Sequence, residues 1–83
     1  MIKLDKIKKT YPSCKILNLV EVAFPGKGWV SVAEDKVYVS ENRIKEKIET
    51  ACSRGAVQFN FIIEDEYGTI RRPDFLRKEL EML

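Results

Sequence analysis

The residue types that most often carry chemistry are sparse in this chain of 83 residues. The sequence contains no histidine, which removes the commonest general base near neutral pH and the commonest metal ligand. The two cysteines, Cys14 and Cys52, cannot complete a four-ligand structural zinc site, and no Cys-x-x-Cys motif is present. We therefore predict a non-enzymatic protein with no catalytic residues, no metal site and no cofactor.

Carboxylates give the remaining candidates for chemistry. Glu64, Asp65 and Glu66 form an acidic cluster that could hold Mg²⁺ for phosphodiester cleavage if further acidic residues converged on it. Glu34 and Lys36 repeat the acid-x-Lys spacing of some nucleases, a pattern that arises readily by chance. An acidic cluster at a strand end is more often a solvated turn, so the sequence favours binding over metal-dependent cleavage.

The cysteines also bear on the cellular compartment. Cys52 falls on the apolar stripe of a predicted helix and Cys14 lies beside Lys15 at a strand entrance, so we expect two structural thiols, although Lys15 could favour a reactive thiolate at Cys14. Two cysteines allow at most one disulfide, which favours free thiols in the cytoplasm. Met1 to Lys9 mixes charged with apolar residues and no apolar run reaches about 18 residues, so we expect neither a signal peptide nor a membrane span.

Composition predicts one folded domain over residues 1–83. Hydrophobic residues make up 45% and charged residues 34%, a balance that supports a core and a hydrated surface. The 15 basic and 13 acidic residues give a net charge of +2. The pI of about 8.6 permits nucleic-acid binding without arguing for it.

The first half of the chain predicts a short basic helix followed by a hairpin. Helical spacing of Leu4, Ile7 and Tyr11 ends at Pro12, and residues 14–24 are rich in strand-forming residues. Pro25 to Gly28 is a turn sequence, after which residues 29–33 resume an extended pattern. A turn at 34–36 would lead to a third strand over 37–39, unless residues 29–39 form one bent strand.

The second half predicts helix, strand and helix. Ser40 is a natural N-cap and Gly55 a natural C-terminal glycine, which frame a helix over 41–54. Alternating apolar residues predict a central strand over 57–64, with a turn at Tyr67-Gly68 and a brief pairing strand over 69–71. A final helix is expected to open at Pro73-Asp74 and to carry Leu76, Leu80 and Leu83 at helical spacing. The fold class is therefore α+β, an antiparallel sheet of three to five strands with two or three helices.

Three surfaces are candidates for binding. Trp29 is a large aromatic beside a hairpin turn, although core packing is the default for such a residue. A possible nucleic-acid site combines the lysines near the N-terminus: Lys3, Lys6, Lys8, Lys9 and Lys15. A possible partner site combines the cations near the C-terminus: Arg71, Arg72, Arg77 and Lys78.

Binding is the function that this pattern favours. We expect a small regulatory or inhibitory module acting on a protein complex, in the manner of a viral or mobile-element accessory factor. The alternative is an RNA- or DNA-binding protein that uses the Lys-rich helix and the Arg71-Arg72 region. A short terminal strand would leave a sheet edge free for strand addition, which also makes a homodimer reasonable.

Overall fold

A computed structural model describes residues 1–33 and 37–81 and confirms the α+β fold class. The described residues form three helices and five antiparallel strands. In chain order these elements are α1 (Asp5–Thr10), β1 (Lys15–Phe24), β2 (Gly28–Ser31), α2 (Glu41–Ser53), β3 (Gln58–Glu64), β4 (Ile70–Arg71), β5 (Asp74–Leu76) and α3 (Arg77–Leu80). The predicted hairpin, the helix over 41–54 and the central strand are each confirmed to within a few residues.

The sheet runs in the order β2-β1-β3-β4, and β5 pairs with β3 beside β4. β4 and β5 keep one register against β3, so together they form a single edge of the sheet. The N–H of Phe61 donates to the carbonyl of Pro73 at 3.0 Å, but Pro73 has no N–H to return. This missing donor explains why the strand pairing breaks between β4 and β5.

The helices and the sheet share one core, which lies on one face of the sheet. Ile44 and Ile48 of α2 are fully buried against that face, and Ser40 caps the helix by accepting the N–H of Arg43 at 3.1 Å. Gly55 ends the helix with φ of +92°, a conformation that favours glycine. The buried sheet residues in this core include Ile16, Leu19, Val22, Phe59, Phe61, Ile63 and Phe75.

Two irregularities in β1 set which of its residues face the core. The register against β3 shifts between Ile16 and Asn18 and again between Leu19 and Glu21, each shift inserting one residue into β1. Ile16, Leu19 and Val22 therefore reach the core at every third position rather than every second. The sequence did not reveal these bulges because both faces of β1 carry apolar residues.

A polar cluster closes the edge of β1 beside the second bulge. The Leu19 N–H donates to Asn18 Oδ1 at 2.8 Å, while Lys47 Nζ donates to the Leu19 carbonyl at 2.7 Å and to Asn18 Oδ1 at 2.6 Å. Asn18 and Lys47 are both buried. Lys47 thus supplies a hydrogen bond to the Leu19 carbonyl. No described backbone group of residues 32–33 or 37–39 bonds to that carbonyl.

Two predictions of secondary structure are wrong. Residues 37–39 are neither a separate strand nor the end of a bent strand over 29–39; there, one backbone hydrogen bond joins the Val39 N–H to the Leu17 carbonyl. The final helix does not open at Pro73-Asp74, because residues 74–76 pair with β3 and the helix begins only at Arg77. The predicted turn at 34–36 and the last apolar position, Leu83, lie outside the described residues.

The final segment becomes a strand because Phe75 is needed in the core. Its ring lies edge-on to those of Phe61 and Tyr11, with centroids 6.0 and 6.4 Å apart. The side chain of Asn60 donates to Asp74 Oδ1 at 2.6 Å, which fixes this acid in the sheet instead of at a helix N-terminus. Glu79 accepts the Leu76 N–H at 2.9 Å and so caps the shorter helix.

Candidate binding face of the sheet

The face of the sheet opposite α2 is its open face, since no described helix covers it. Directly paired residues in antiparallel strands project from the same face, and the pairing places Trp29, Ala23, Gln58 and Leu76 in one row across β2, β1, β3 and β5. A neighbouring row contains Ser31, Glu21, Asn60 and Asp74. The first row spans about 14 Å between its outer strands.

The first row combines two exposed apolar side chains with an amide. Trp29 is 43% exposed and Leu76 is 39% exposed, while Ala23 between them is buried and Gln58 is half-buried. None of the four side chains carries a charge. Trp29 therefore lies on a surface instead of in the core, contrary to the default that the sequence suggested for it.

The second row is polar and partly fixed by hydrogen bonds. Asn60 Nδ2 donates to Asp74 Oδ1 and, at 3.1 Å, to the carbonyl of Arg72. Glu21 is half-buried between Ser31 and Asn60. Arg72, Ile62 and Glu21 line a shallow depression of about 210 Å³ farther along the same face.

Charged residues of both signs lie on the described part of the open face. Lys15, Glu64 and Ile70 lie in one row at its far end, as shown by their pairing across β1, β3 and β4. Among residues 1–33 and 37–81, strand pairing and the depression place the acids Glu21, Glu64 and Asp74 and the base Arg72 on this face, together with Lys15, whose ammonium lies over the ring of Tyr38. The described part of the open face is therefore not a basic surface.

The structure does not bring the four C-terminal cations into one cluster. Arg71 pairs with Ile63 on the helix side of the sheet, whereas Arg72 lies on the open face. Arg77, the first residue of α3, lies beside the C-terminal end of α2, where its Nη1 donates to the Cys52 carbonyl at 3.2 Å. It is also paired with Glu81, whose carboxylate raises the pKa of Arg77. Lys78 follows it in α3 and is exposed.

The N-terminal lysines are also divided. Lys8 Nζ lies 2.6 Å from Glu41 Oε1. Lys15 Nζ lies over the ring of Tyr38, 5.6 Å from the ring centre. Lys8 and Lys15 line a wide cleft between α1, β1 and the start of α2, with Cys14 among its other residues. Lys6 and Lys9 are exposed on α1 and Lys3 is half-buried.

The surroundings of the acidic cluster and of Cys52 indicate structural roles for Asp65 and for the Cys52 thiol. Asp65 Oδ1 accepts the N–H groups of Tyr67 and Thr69, both at 2.9 Å, and so shapes the turn between β3 and β4. Burial raises the pKa of the Cys52 thiol; Arg77 opposes the rise, and Glu81 and Glu49 add to it. Within residues 1–33 and 37–81, no three cysteine or acidic side chains converge as metal ligands would.

Comparison with known proteins identifies no relative of this chain. No protein-family model, curated protein sequence or solved structure matches the chain significantly. None of the described helices is long and apolar enough to span a membrane.

Sequence reasoning singled out Trp29 and Arg72 but missed their neighbours on the open face. The predicted final helix includes Leu76, whereas in the structure Phe75 and not Leu76 faces the core. Gln58 and Asn60 gave a usable signal, because they alternate with the buried Phe59 and Phe61 and must therefore project from the opposite face. What could not be read from the sequence was that this opposite face lacks a covering helix.

Proposed function

We propose that this chain is a non-catalytic module that binds another protein through its open face, acting as a regulator or inhibitor of that protein. The observation that carries the proposal is the exposed Trp29 at one end of the uncharged row that ends in Leu76. A chain of this size needs its large apolar side chains for its core. Tryptophan is enriched at the centres of protein interfaces, where its burial contributes much of the affinity.

The charges beside this row define the chemistry of the partner. Glu21 and Asp74 lie in the neighbouring row, so the open face presents apolar anchors flanked by carboxylates. The complementary surface is an apolar recess with a basic rim on a folded protein. These carboxylates would repel phosphates, which disfavours a polyphosphate backbone as the ligand of this row.

The proposal is tested by capture from native cell lysate with three immobilised proteins: the wild type, Trp29→Ala and Tyr67→Ala. Tyr67 is the matched aromatic control because it is exposed in the turn between β3 and β4, away from the Trp29 row. Each capture is run with and without nuclease. The proposal requires a protein that survives nuclease treatment, is retained by the wild type and Tyr67→Ala, and is lost from Trp29→Ala.

Two results would overturn the proposal. Retention that disappears on nuclease treatment would show that it depends on nucleic acid, in favour of the alternative function. Retention of the same protein by Trp29→Ala would show that the open face is not the binding surface. Circular dichroism of each variant establishes that a loss of binding does not reflect a loss of fold.

A further inference from the structure

β2 forms a short edge of the sheet, and its own side chains do not block that edge. Its four residues, Gly28 to Ser31, are all exposed and include neither a charged residue nor a proline. Natural proteins commonly protect edges by keeping them very short or with charges, prolines, bulges or a covering element, because an unpaired edge can add a strand from another chain. β2 has only the first of these protections among the described residues, so a strand that adds to it can pair over a few residues. The side chains of β2 therefore leave its backbone available.

The pairing with β1 shows which backbone groups of β2 point outward. The Val32 N–H donates to the Val20 carbonyl at 2.9 Å, in register with the pairing of Val30 with Val22. Inward and outward groups alternate along an antiparallel strand, so the N–H and carbonyl groups of Trp29 and Ser31 point away from β1. Among the described residues, none bonds to these four groups.

The opposite edge of the sheet is protected. Arg72 and Asp74 place charges there, and the side chain of Asn60 donates to the Arg72 carbonyl. The Leu76 N–H is bonded to Glu79. β2 is therefore the edge at which a further strand would add.

We propose that a second copy of this chain pairs with β2 in antiparallel fashion, about a two-fold axis that passes between the two Val30 residues. In this register Trp29 of each copy lies opposite Ser31 of the other, and their outward groups exchange four hydrogen bonds. The two Val30 side chains meet on the helix side of the sheet, where each is 43% exposed in the single chain. No like charges lie opposite each other in β2, which favours self-pairing.

The dimer joins the two sheets and places the two open faces side by side. It does not depend on the proposed function, because its formation needs no other protein. With only a few residues pairing from each chain, the contact belongs among small, weak interfaces. Dimerisation is therefore expected to depend on protein concentration.

Analytical ultracentrifugation of the purified chain tests the proposal over a range from about 1 µM to about 1 mM, where small interfaces associate. The average mass should rise from 9.6 kDa toward twice that value. Val30→Lys should abolish the rise by placing two lysines directly opposite each other. Ile70→Lys is the matched control, since Ile70 is 46% exposed on the opposite edge, and it should dimerise like the wild type.

A cross-link tests the register independently of stability. Val30→Cys, made in a chain that also carries Cys14→Ser and Cys52→Ala, should form an intermolecular disulfide on oxidation, because the non-hydrogen-bonded pair brings the Cα atoms within disulfide range. Ser53→Cys, on exposed α2, is the control in the same background and should not. A chain that stays monomeric at the highest concentration, a dimer that Val30→Lys leaves intact, or no cross-link at Val30→Cys would overturn the proposal.

Discussion

Lys47 illustrates how one charged side chain can complete a sheet. Its ammonium bonds the Leu19 carbonyl and Asn18 Oδ1, joining α2 to the irregular edge of β1. A lysine on a helix otherwise indicates a solvated face, but Lys47 lies three residues after Ile44 and four before Ala51, on the helix face that is buried. The polar Asn18 within an apolar strand was a second sequence signal for this cluster.

Lys47→Met should lower the free energy of unfolding by about 1–3 kcal/mol, because it leaves a buried carbonyl without this donor while keeping most of the apolar volume. Urea unfolding followed by circular dichroism measures the change. Lys45→Met on the same helix is the control and should cost less than about 0.5 kcal/mol. Equal stabilities of the two variants would show that the Lys47 bonds contribute nothing.

Cys52 provides a prediction on pH dependence. Burial raises the pKa of its thiol in the folded chain, so the unfolded chain loses this proton first as pH rises. The stability that Cys52 contributes through this pKa shift is therefore fully present below the ordinary thiol pKa. It is lost as pH rises through the pKa of the thiol in the folded chain. Alkylation rates of Cys14→Ser against pH should give a midpoint above that of a free thiol.

Arg77 is the charge that opposes this rise. Arg77→Ala should move the alkylation midpoint of Cys52 to still higher pH, since the thiolate loses a nearby positive charge. Lys78→Ala, a neighbouring cation that does not contribute to the shift, should leave the midpoint unchanged. A midpoint that falls in Arg77→Ala would contradict this electrostatic assignment.

At the scale of elements, prediction succeeded where one local pattern decided the outcome. α2 has an N-cap, an apolar stripe and a terminal glycine, and all three agree. The prediction for the end of the chain was wrong. Pro73, Asp74 and the leucine spacing indicate a helix locally, but the burial of Phe75 against β3 requires a strand. Long-range pairing of this kind is invisible to a local pattern.

Substitutions in β5 distinguish these two interpretations. Phe75→Ala should cost about 3–5 kcal/mol because Phe75 is 5% exposed in the core, whereas Leu76→Ala should cost less than about 1 kcal/mol. Phe75→Leu, which keeps much of the volume, gives an intermediate loss if the alanine variant fails to fold. A greater loss for Leu76→Ala would support the helix that the sequence predicted.

At the scale of the whole molecule, the fold separates two kinds of surface. The helices and the core lie on one side of the sheet, and the exposed lysines of α1 belong to that helical layer. On the described part of the open face, Trp29 and Leu76 lie beside the carboxylates of Glu21 and Asp74. Composition alone could not show this division, because a net charge of +2 describes both surfaces together.

The most direct test of binding through the open face is calorimetric titration of the captured protein against three forms of the chain: the wild type, Trp29→Ala, and Lys6→Gln combined with Lys9→Gln. We predict that Trp29→Ala raises Kd by at least about 30-fold, as expected when an interface loses a central anchor. The double lysine variant should keep the Kd of the wild type. Unchanged affinity of Trp29→Ala with a large loss in the lysine variant would contradict the account and move the binding surface to α1.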